Sequence, residues 1–341
     1  MKQYLMTEPG KIETLDVAVP GDLKDNEVLL EIQRIGICGS DIHVYHGKHP
    51  FTSYPVVQGH EYSGKVIKVG NAVTKVKPGM KATARPQLVC GQCNPCKRGQ
   101  YNVCQQLKVQ GFQAPGCASE YFIVTEERIL PLPEELSYEQ GALVEPAAVA
   151  AHATNRVADL TGKNVVVSGA GTIGNLVAQF AVARGAAKVL ITDFSDFRLG
   201  IAGICGVHEV ANLKTEKFSD AVSRTFGAAG FQIGFEAVGA QSALNALVGN
   251  IENGGSIVII GVYEQHPVVD MGFVGEHELN LFGSMMYKQE DYVEAIKYIA
   301  ENRINTSALI TNHFPAEGFL AAYKMIDQEA DKVLKVMIDM K

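Results

Sequence analysis

Four cysteines fall within fifteen residues, as Cys90-x2-Cys93-x2-Cys96-x7-Cys104, in a stretch that also carries Gly91, Asn94, Pro95, Gly99 and Asn102. Closely spaced thiolates on a turning backbone can close a tetrahedral shell around an ion, and four sulfurs leave no position open for substrate. The metal would then be structural zinc. An iron–sulfur cluster also uses four thiolates, so the spacing alone does not decide between them, and the remaining motifs favour zinc. A second set is dispersed: Cys38 in Gly36-Ile37-Cys38-Gly39-Ser40-Asp41-Ile42-His43, His60 and Glu61 in Gly59-His60-Glu61, and Glu145 before Pro146. Singly, a Cys or a His is more often core, or a satisfied polar group, than a ligand. Together they supply one thiolate, one imidazole and one or two carboxylates, a set that leaves catalytic zinc a fourth position for an alcohol oxygen.

A third motif, Val165-Val166-Val167-Ser168-Gly169-Ala170-Gly171-Thr172-Ile173-Gly174, is a β-branched run entering G-x-G-x-x-G, followed by a helix-compatible segment. Gly169 permits the tight turn, Gly171 lets backbone N–H groups, with those of Thr172 and Ile173, approach a pyrophosphate, and Gly174 brings helix and strand together. A glycine triplet alone could be an ordinary βα turn. Here the next strand candidate ends at Asp193, 19 residues after Gly174, where a carboxylate would accept hydrogen bonds from the adenosine ribose. The same charge would repel a 2′-phosphate, so NAD is favoured over NADP. Arg198 could reach a phosphate or sit solvated at a helix start.

These residues need elements to hold them. The first ~145 residues read as short strands punctuated by Gly, Pro, Asn and Asp, an all-β pattern with loops. After Glu145-Pro146 an Ala-rich helical segment, 147–158, opens an alternation of strands and helices, with strand candidates at 164–168, 188–193, 207–211, 232–237, 256–260 and 279–283. Such alternation implies one doubly wound parallel sheet. Helical patterns follow at 291–302 and 316–327, and a strand at 335–338 closes the chain. The length of 341 residues suits two domains.

Composition excludes other classes. With 30 Lys+Arg against 37 Asp+Glu, the net charge of −7 and the lack of a cationic run make nucleic acid an improbable partner. No apolar run approaches membrane-spanning length, and residues 1–14 lack a signal-peptide core, so the expectation is a cytoplasmic protein with reduced thiols. Cys117 and Cys205 read as buried or semi-buried thiols without a role. Tyr45, Phe51, Tyr54 and Phe112 are candidates to shape a substrate pocket or to pack, as is Tyr287. His46 and His49 read as loop-surface residues, and His152 as a packed group.

Gly59-His60-Glu61-x2-Gly64-x5-Gly70, the four-cysteine lobe and the later glycine fingerprint, in that order, resemble the zinc-dependent medium-chain alcohol dehydrogenases over nearly the whole chain. The Glu145-Pro146 pair resembles the polyol (sorbitol), threonine and butanediol dehydrogenase branch. The resemblance implies an α/β chain: a GroES-like, β-rich catalytic domain at 1–146 and 286–341, with a structural zinc lobe at about 88–106, and an inserted Rossmann domain at 147–285 that binds NAD. It implies two zincs per subunit, one held by Cys90, Cys93, Cys96 and Cys104. At the other, Cys38 and His60 are ligands, Glu145 is the third ligand or binds through water, and Glu61 can exchange onto the metal. Ser40 and His43 would relay the alcohol's proton to solvent, a turn-forming serine and a surface histidine being the plainer readings.

The function implied is hydride transfer from a secondary alcohol (polyol, sugar alcohol, vicinal diol or sugar acid) to NAD, in a homodimer or homotetramer. The alternatives are threonine-type amino-alcohol oxidation and a non-catalytic nucleotide sensor; the sensor predicts a lost ligand or relay group, and none is lost. One departure stands without a function: Ala114-Pro115-Gly116-Cys117 occupies a place where many relatives carry a Gly-Gly pair.

Overall fold

The longest strand, Glu27–Ile37, is the axis of the first unit in the computed structural model, which describes residues 1–341. Val28, Leu30, Ile32 and Ile35 are buried along it, the β-branched and leucine side chains that suit a pleated, covered surface. It pairs antiparallel with Glu61–Val69 on one side. On the other it pairs with Tyr121–Thr125 along its first half and with Lys335–Asp339 along its second. The sheet runs Ile129–Pro131, Lys81–Ala84, Glu61–Val69, Glu27–Ile37, Lys335–Asp339, Ile310–Pro315, and only the last pair is parallel.

Register then does the positioning. Gly36 lies opposite Glu61, and Ile37 opposite Val336, so the ends of three strands distant in sequence bring Cys38, His60, Glu61 and Lys335 to one place. Just past Ile37 the chain turns into the helix Gly39–Tyr45. The first unit comprises Met1–Glu145, Lys288–Ala300 and Ile310–Lys341, and its core gathers Tyr4, Val28, Leu30, Ile32, Tyr62, Val66 and Ile338.

The second unit, Pro146–Tyr287 with Glu301–Leu309, is built on a six-stranded parallel sheet. Its order is Glu209–Asn212, Lys188–Asp193, Asn164–Ser168, Ile233–Glu236, Ser256–Ile259, Asn280–Gly283. Val165, Val166, Val167, Val189, Leu190 and Ile191 are fully buried, as continuous apolar strands covered on both faces must be. The order reverses between Asn164–Ser168 and Ile233–Glu236, the switch point where doubly wound sheets bind ligands beyond their strands' carboxyl ends.

Three expectations shift. Glu301–Leu309 goes with the second unit rather than with the expected 286–341 part of the first. The first 145 residues are not purely strand and loop, since Gly39–Tyr45, Asn94–Lys97, Tyr138–Ala142 and the start of Val144–Thr154 are helical; these segments are short enough for punctuation residues to mask their periodicity. The Ala-rich helix begins before Pro146, whose ring a first helical turn tolerates.

Candidate functional site

Cys38, His60 and Glu61 present one ligand atom each, all within 4.8 Å of one another, with His60 and Glu61 buried. The carboxylate needs Gly36 across the strand pair: a Cβ there would run into Glu61 Oε2. It also needs a counter-charge, because an unpaired ion at 1% exposure would carry a large desolvation cost. Lys335, itself buried, supplies it: Nζ lies 2.8 and 2.6 Å from Glu61 Oε1 and Oε2 and donates to the Ile37 carbonyl at 2.9 Å. Burial alone would lower the Lys335 pKa, but Glu61, Cys38 and Glu145 outweigh it and hold the ammonium above its ordinary value. A lysine at an inward position of the apolar run Val333-Leu334-Lys335-Val336-Met337-Ile338 is the sequence signal for this group, which the run's strand pattern masks.

His60 Nδ1 is buried without an aligned hydrogen bond, and Asp41 Oδ1 stands 3.4 Å from it. The other Asp41 oxygen accepts the Cys38 N–H at 3.0 Å. Burial would lower the His60 pKa, while Asp41 and the Cys38 sulfur raise it well above the usual imidazole range. A buried imidazole drawn between a carboxylate and a thiol, beside a second carboxylate, is a donor set that suits zinc. In the sequence Asp41 is simply one residue of the Cys38-to-His43 motif, with no signal that marks it as a partner of His60.

Glu145 sits buried in the first turn of Val144–Thr154, close enough to raise the Lys335 pKa, but it is not a member of the compact ligand triplet. Ser40 and His43 both lie on Gly39–Tyr45, three residues apart and so on one helix face. His49 departs from its expected place on the surface. It is half-buried, stacked on Phe112 at 4.7 Å, and the Phe112 ring lies 4.9 Å from that of His60. Its Nδ1 pairs with the Thr52 hydroxyl at 2.7 Å, and burial with nearby His43 lowers its pKa. His46 is exposed, as expected, and pairs with Asp327 at 3.0 Å. Tyr45 is core, stacked on Tyr323 at 4.8 Å, Phe51 is exposed, and Tyr287 is fully buried in the second unit.

The four-cysteine lobe is compact. Its sulfurs lie within 4.8 Å of one another, with Cys90–Cys104 at 3.5 Å and Cys93–Cys104 at 3.9 Å. A tetrahedral ion with bonds of about 2.3 Å sets its sulfurs about 3.8 Å apart, so these thiols fit zinc with little movement. Backbone N–H groups of Cys96 and Gln105 pull the Cys93 thiol down to about 6, toward the thiolate that a metal requires, whereas desolvation and the neighbouring thiols push Cys96 up. Cys117 lies under the other site. Its N–H donates to the Gly59 carbonyl at 3.0 Å, and the Ala118 and Gly116 N–H groups donate to the Gln58 and Val57 carbonyls, main-chain bonds that back the segment carrying His60 and that any non-proline residue would make. Burial pushes the Cys117 thiol well up and the Cys205 thiol to about 11.

In the second unit, Asn164–Ser168 leads through Gly169, at φ +98°, into the helix Thr172–Ala183, with Gly171 as its N-cap. A Cβ on Gly174 would collide with the Gly169 carbonyl, whereas one on Gly171 would meet nothing within 4 Å. Space is therefore left where the helix N-terminus faces outward, the cradle a pyrophosphate fills, with Thr172 and Ile173 in the first turn. Asp193 ends the neighbouring strand and accepts N–H groups from Ala170 at 2.7 Å, Phe194 at 2.7 Å and Ser195 at 2.9 Å, which ties it to the glycine loop. Arg198 lies on Asp196–Ile204, its N–H bonded to the capping Ser195 hydroxyl.

Comparison with known proteins agrees with this geometry. Residues 24–134 match the alcohol dehydrogenase GroES-like domain, and residues 172–301 match the zinc-binding dehydrogenase model. Sorbitol dehydrogenase of Bacillus subtilis is 30% identical over 99% of this chain and 97% of its own. The chain belongs to the zinc-dependent medium-chain alcohol dehydrogenases. As such it is an oxidoreductase that uses zinc and a nicotinamide cofactor on a CH–OH group. L-threonine 3-dehydrogenase of Legionella pneumophila (strain Corby) is 32% identical over 96% of both chains. An alcohol dehydrogenase of Escherichia coli CFT073, solved with NADH, shares the dehydrogenase fold at a TM-score of 0.93, with 27% identity over 100% of this chain and 99% of that one. No helix is long and apolar enough to cross a membrane.

Proposed function

We propose that this dehydrogenase oxidises a secondary alcohol of a polyol, sugar alcohol, vicinal diol or sugar acid, with NAD as acceptor and two zincs per subunit. The observation that carries the proposal is the triplet of Cys38 with the buried His60 and Glu61, with Lys335 behind it. When bound, zinc supplies Lewis acidity that lowers the alcohol's pKa, and the nicotinamide accepts hydride.

The chain's own residues do the rest. Cys38 and His60 hold the metal, and Glu145 serves as third ligand or acts through water. Glu61, paired with Lys335 through both of its oxygens, would exchange onto the ion. Ser40 takes the substrate's proton and passes it to His43 along one face of Gly39–Tyr45. Cys90, Cys93, Cys96 and Cys104 hold the second zinc and keep their lobe folded. Gly169, Gly171, Thr172, Ile173 and Gly174 cradle the pyrophosphate, with Arg198 within reach of a phosphate. Asp193 takes the ribose hydroxyls and disfavours a 2′-phosphate, which supports NAD over NADP. We also assign a cytoplasmic homodimer or homotetramer; the sheet edge Asn280–Gly283, followed by exposed Met285, supports the association.

The test is NADH formation by zinc-loaded protein over a panel of polyols, vicinal diols, aldonates and threonine. Turnover of a polyol, diol or aldonate is expected. Preference for threonine would replace the substrate class by the amino-alcohol one.

A further inference from the structure

Behind the metal triplet runs a line of polar side chains with nearly no access to water: Tyr323 at 2% exposure, Gln58 at 4% and Asp41 at 1%. Tyr323 projects from the helix Phe319–Gln328, in the last stretch of the chain, and its ring stacks on Tyr45 at 4.8 Å and 9°. Its hydroxyl donates to Gln58 Oε1 at 2.9 Å. That bond decides which way the amide faces: with Oε1 committed to the tyrosine, the NH2 end must point the other way. There Nε2 meets the Asp41 carbonyl at 3.2 Å and Asp41 Oδ1 at 3.4 Å. Asp41 Oδ2 takes the Cys38 N–H, and Oδ1 stands 3.4 Å from His60 Nδ1.

A leucine and a phenylalanine would fill the space of Gln58 and Tyr323 without burying polar atoms, and burying such atoms is tolerated only when they are paired. Neither residue is needed to neutralise a charge on Glu61, which Lys335 meets by itself. What the pair adds is direction.

We propose that Tyr323 and Gln58 form a buried positioning relay that orients Asp41 against His60 Nδ1, so that the C-terminal helix fixes the tautomer and ring orientation of the histidine that binds the metal. Through it, Asp41 holds Nδ1 as the protonated nitrogen and leaves Nε2 for zinc. Tyr323 and Gln58 are positioning residues, since neither reaches the metal. The inference rests on the reading of Cys38, His60 and Glu61 as a zinc site.

The test uses the full chain carrying the double substitution Gln58→Leu with Tyr323→Phe, which removes both ends of one hydrogen bond and strands neither. The readouts are zinc transfer to a chromogenic chelator, resolved into the four-thiolate ion and the triplet ion, and the absorption spectrum of the cobalt-substituted triplet. The relay predicts that the triplet loses zinc about tenfold more readily, the low end for an outer partner of a metal-bound histidine. It also predicts a shifted cobalt spectrum, while the four-thiolate ion leaves at the wild-type rate. Tyr323→Phe alone, which frees the amide to turn, should move both readouts in the same direction by less, and restoring Tyr323 in the Gln58→Leu background should rescue neither. Wild-type zinc release and an unchanged cobalt spectrum in a folded double variant overturn the relay and leave the metal site standing. Only one zinc in wild-type protein, with Cys38→Ser indistinguishable from it, overturns both.

Discussion

Replacing Lys335 with methionine keeps the length and most of the volume of the side chain and removes its charge. Glu61, at 1% exposure, then loses the ammonium that contacts both of its oxygens in metal-free protein. Breaking a buried pair from one side costs about 3–5 kcal/mol, because the remaining ion is uncompensated. For a unit of this size, with about 2–4 °C lost per kcal/mol, the melting temperature of metal-free protein should fall by about 6–20 °C. The second substitution is the informative one: with Glu61→Gln added, neither member of the pair carries a charge, and most of the loss should return. The part not returned belongs to the Ile37 carbonyl, which has lost its donor in both variants, a cost of about 1–3 kcal/mol. The pH dependence has a definite sign. Lys335 has a raised folded pKa, so its contribution is complete below the unfolded lysine value of about 10.4 and is lost only as pH climbs through the higher folded value. The wild-type advantage over Lys335→Met should thus be flat, as far as the lysine governs it, from pH 6 to 9. Calorimetry or urea unfolding of metal-stripped single and double variants measures all of this. A Lys335→Met protein within about 1 kcal/mol of wild type would deny the pair its buried character, because a one-sided break would then cost no more than loss of an exposed pair.

Other perturbations follow from the same contacts. Gly36→Ala places a methyl group against Glu61 Oε2 and should cost about 1–3 kcal/mol of stability together with triplet metal occupancy, checked by melting and metal analysis. Burial would raise the Glu139 carboxyl, but its own backbone N–H, Ser137 and Arg34, 2.8 Å away, hold it below the usual range. Its contribution is therefore present above the unfolded value of about 4.3 and lost as pH falls through the lower folded one, so acid melting curves of wild type should drop toward those of Glu139→Gln below about pH 5. Asp193→Ala removes the acceptor of three backbone N–H groups as well as the charge facing a 2′-phosphate. Titration should show weaker NAD binding and a smaller gap between NAD and NADP, and an unchanged gap would remove Asp193 from cofactor choice.

Motifs carried by local chemistry were legible in the sequence, and groups that meet only through strand register were not. The cysteine spacing already specified a closed thiolate shell, and the strands Asn164–Ser168 and Lys188–Asp193 have the bounds their apolar runs indicated. Strand ends elsewhere differ by one or two residues, since an apolar run does not record where pairing stops. Lys335 was hidden because its partner Glu61 lies 274 residues away and is reached through the pairing of Lys335–Asp339 with Glu27–Ile37. Tyr323 and Gln58 were hidden for the same reason. His49 looked like a surface residue in a polar loop, and only the packing of Phe112 against His60 shows that the loop turns inward.

At stake is whether the triplet of Cys38, His60 and Glu61 holds the zinc on which turnover depends. The most direct measurement is metal content, NAD binding and NADH formation in wild type and Cys38→Ser side by side. Two zincs and turnover are expected in wild type, and in the variant one zinc, NAD binding unchanged and no turnover. Two zincs in Cys38→Ser, or turnover at the wild-type rate, would contradict that role of the triplet.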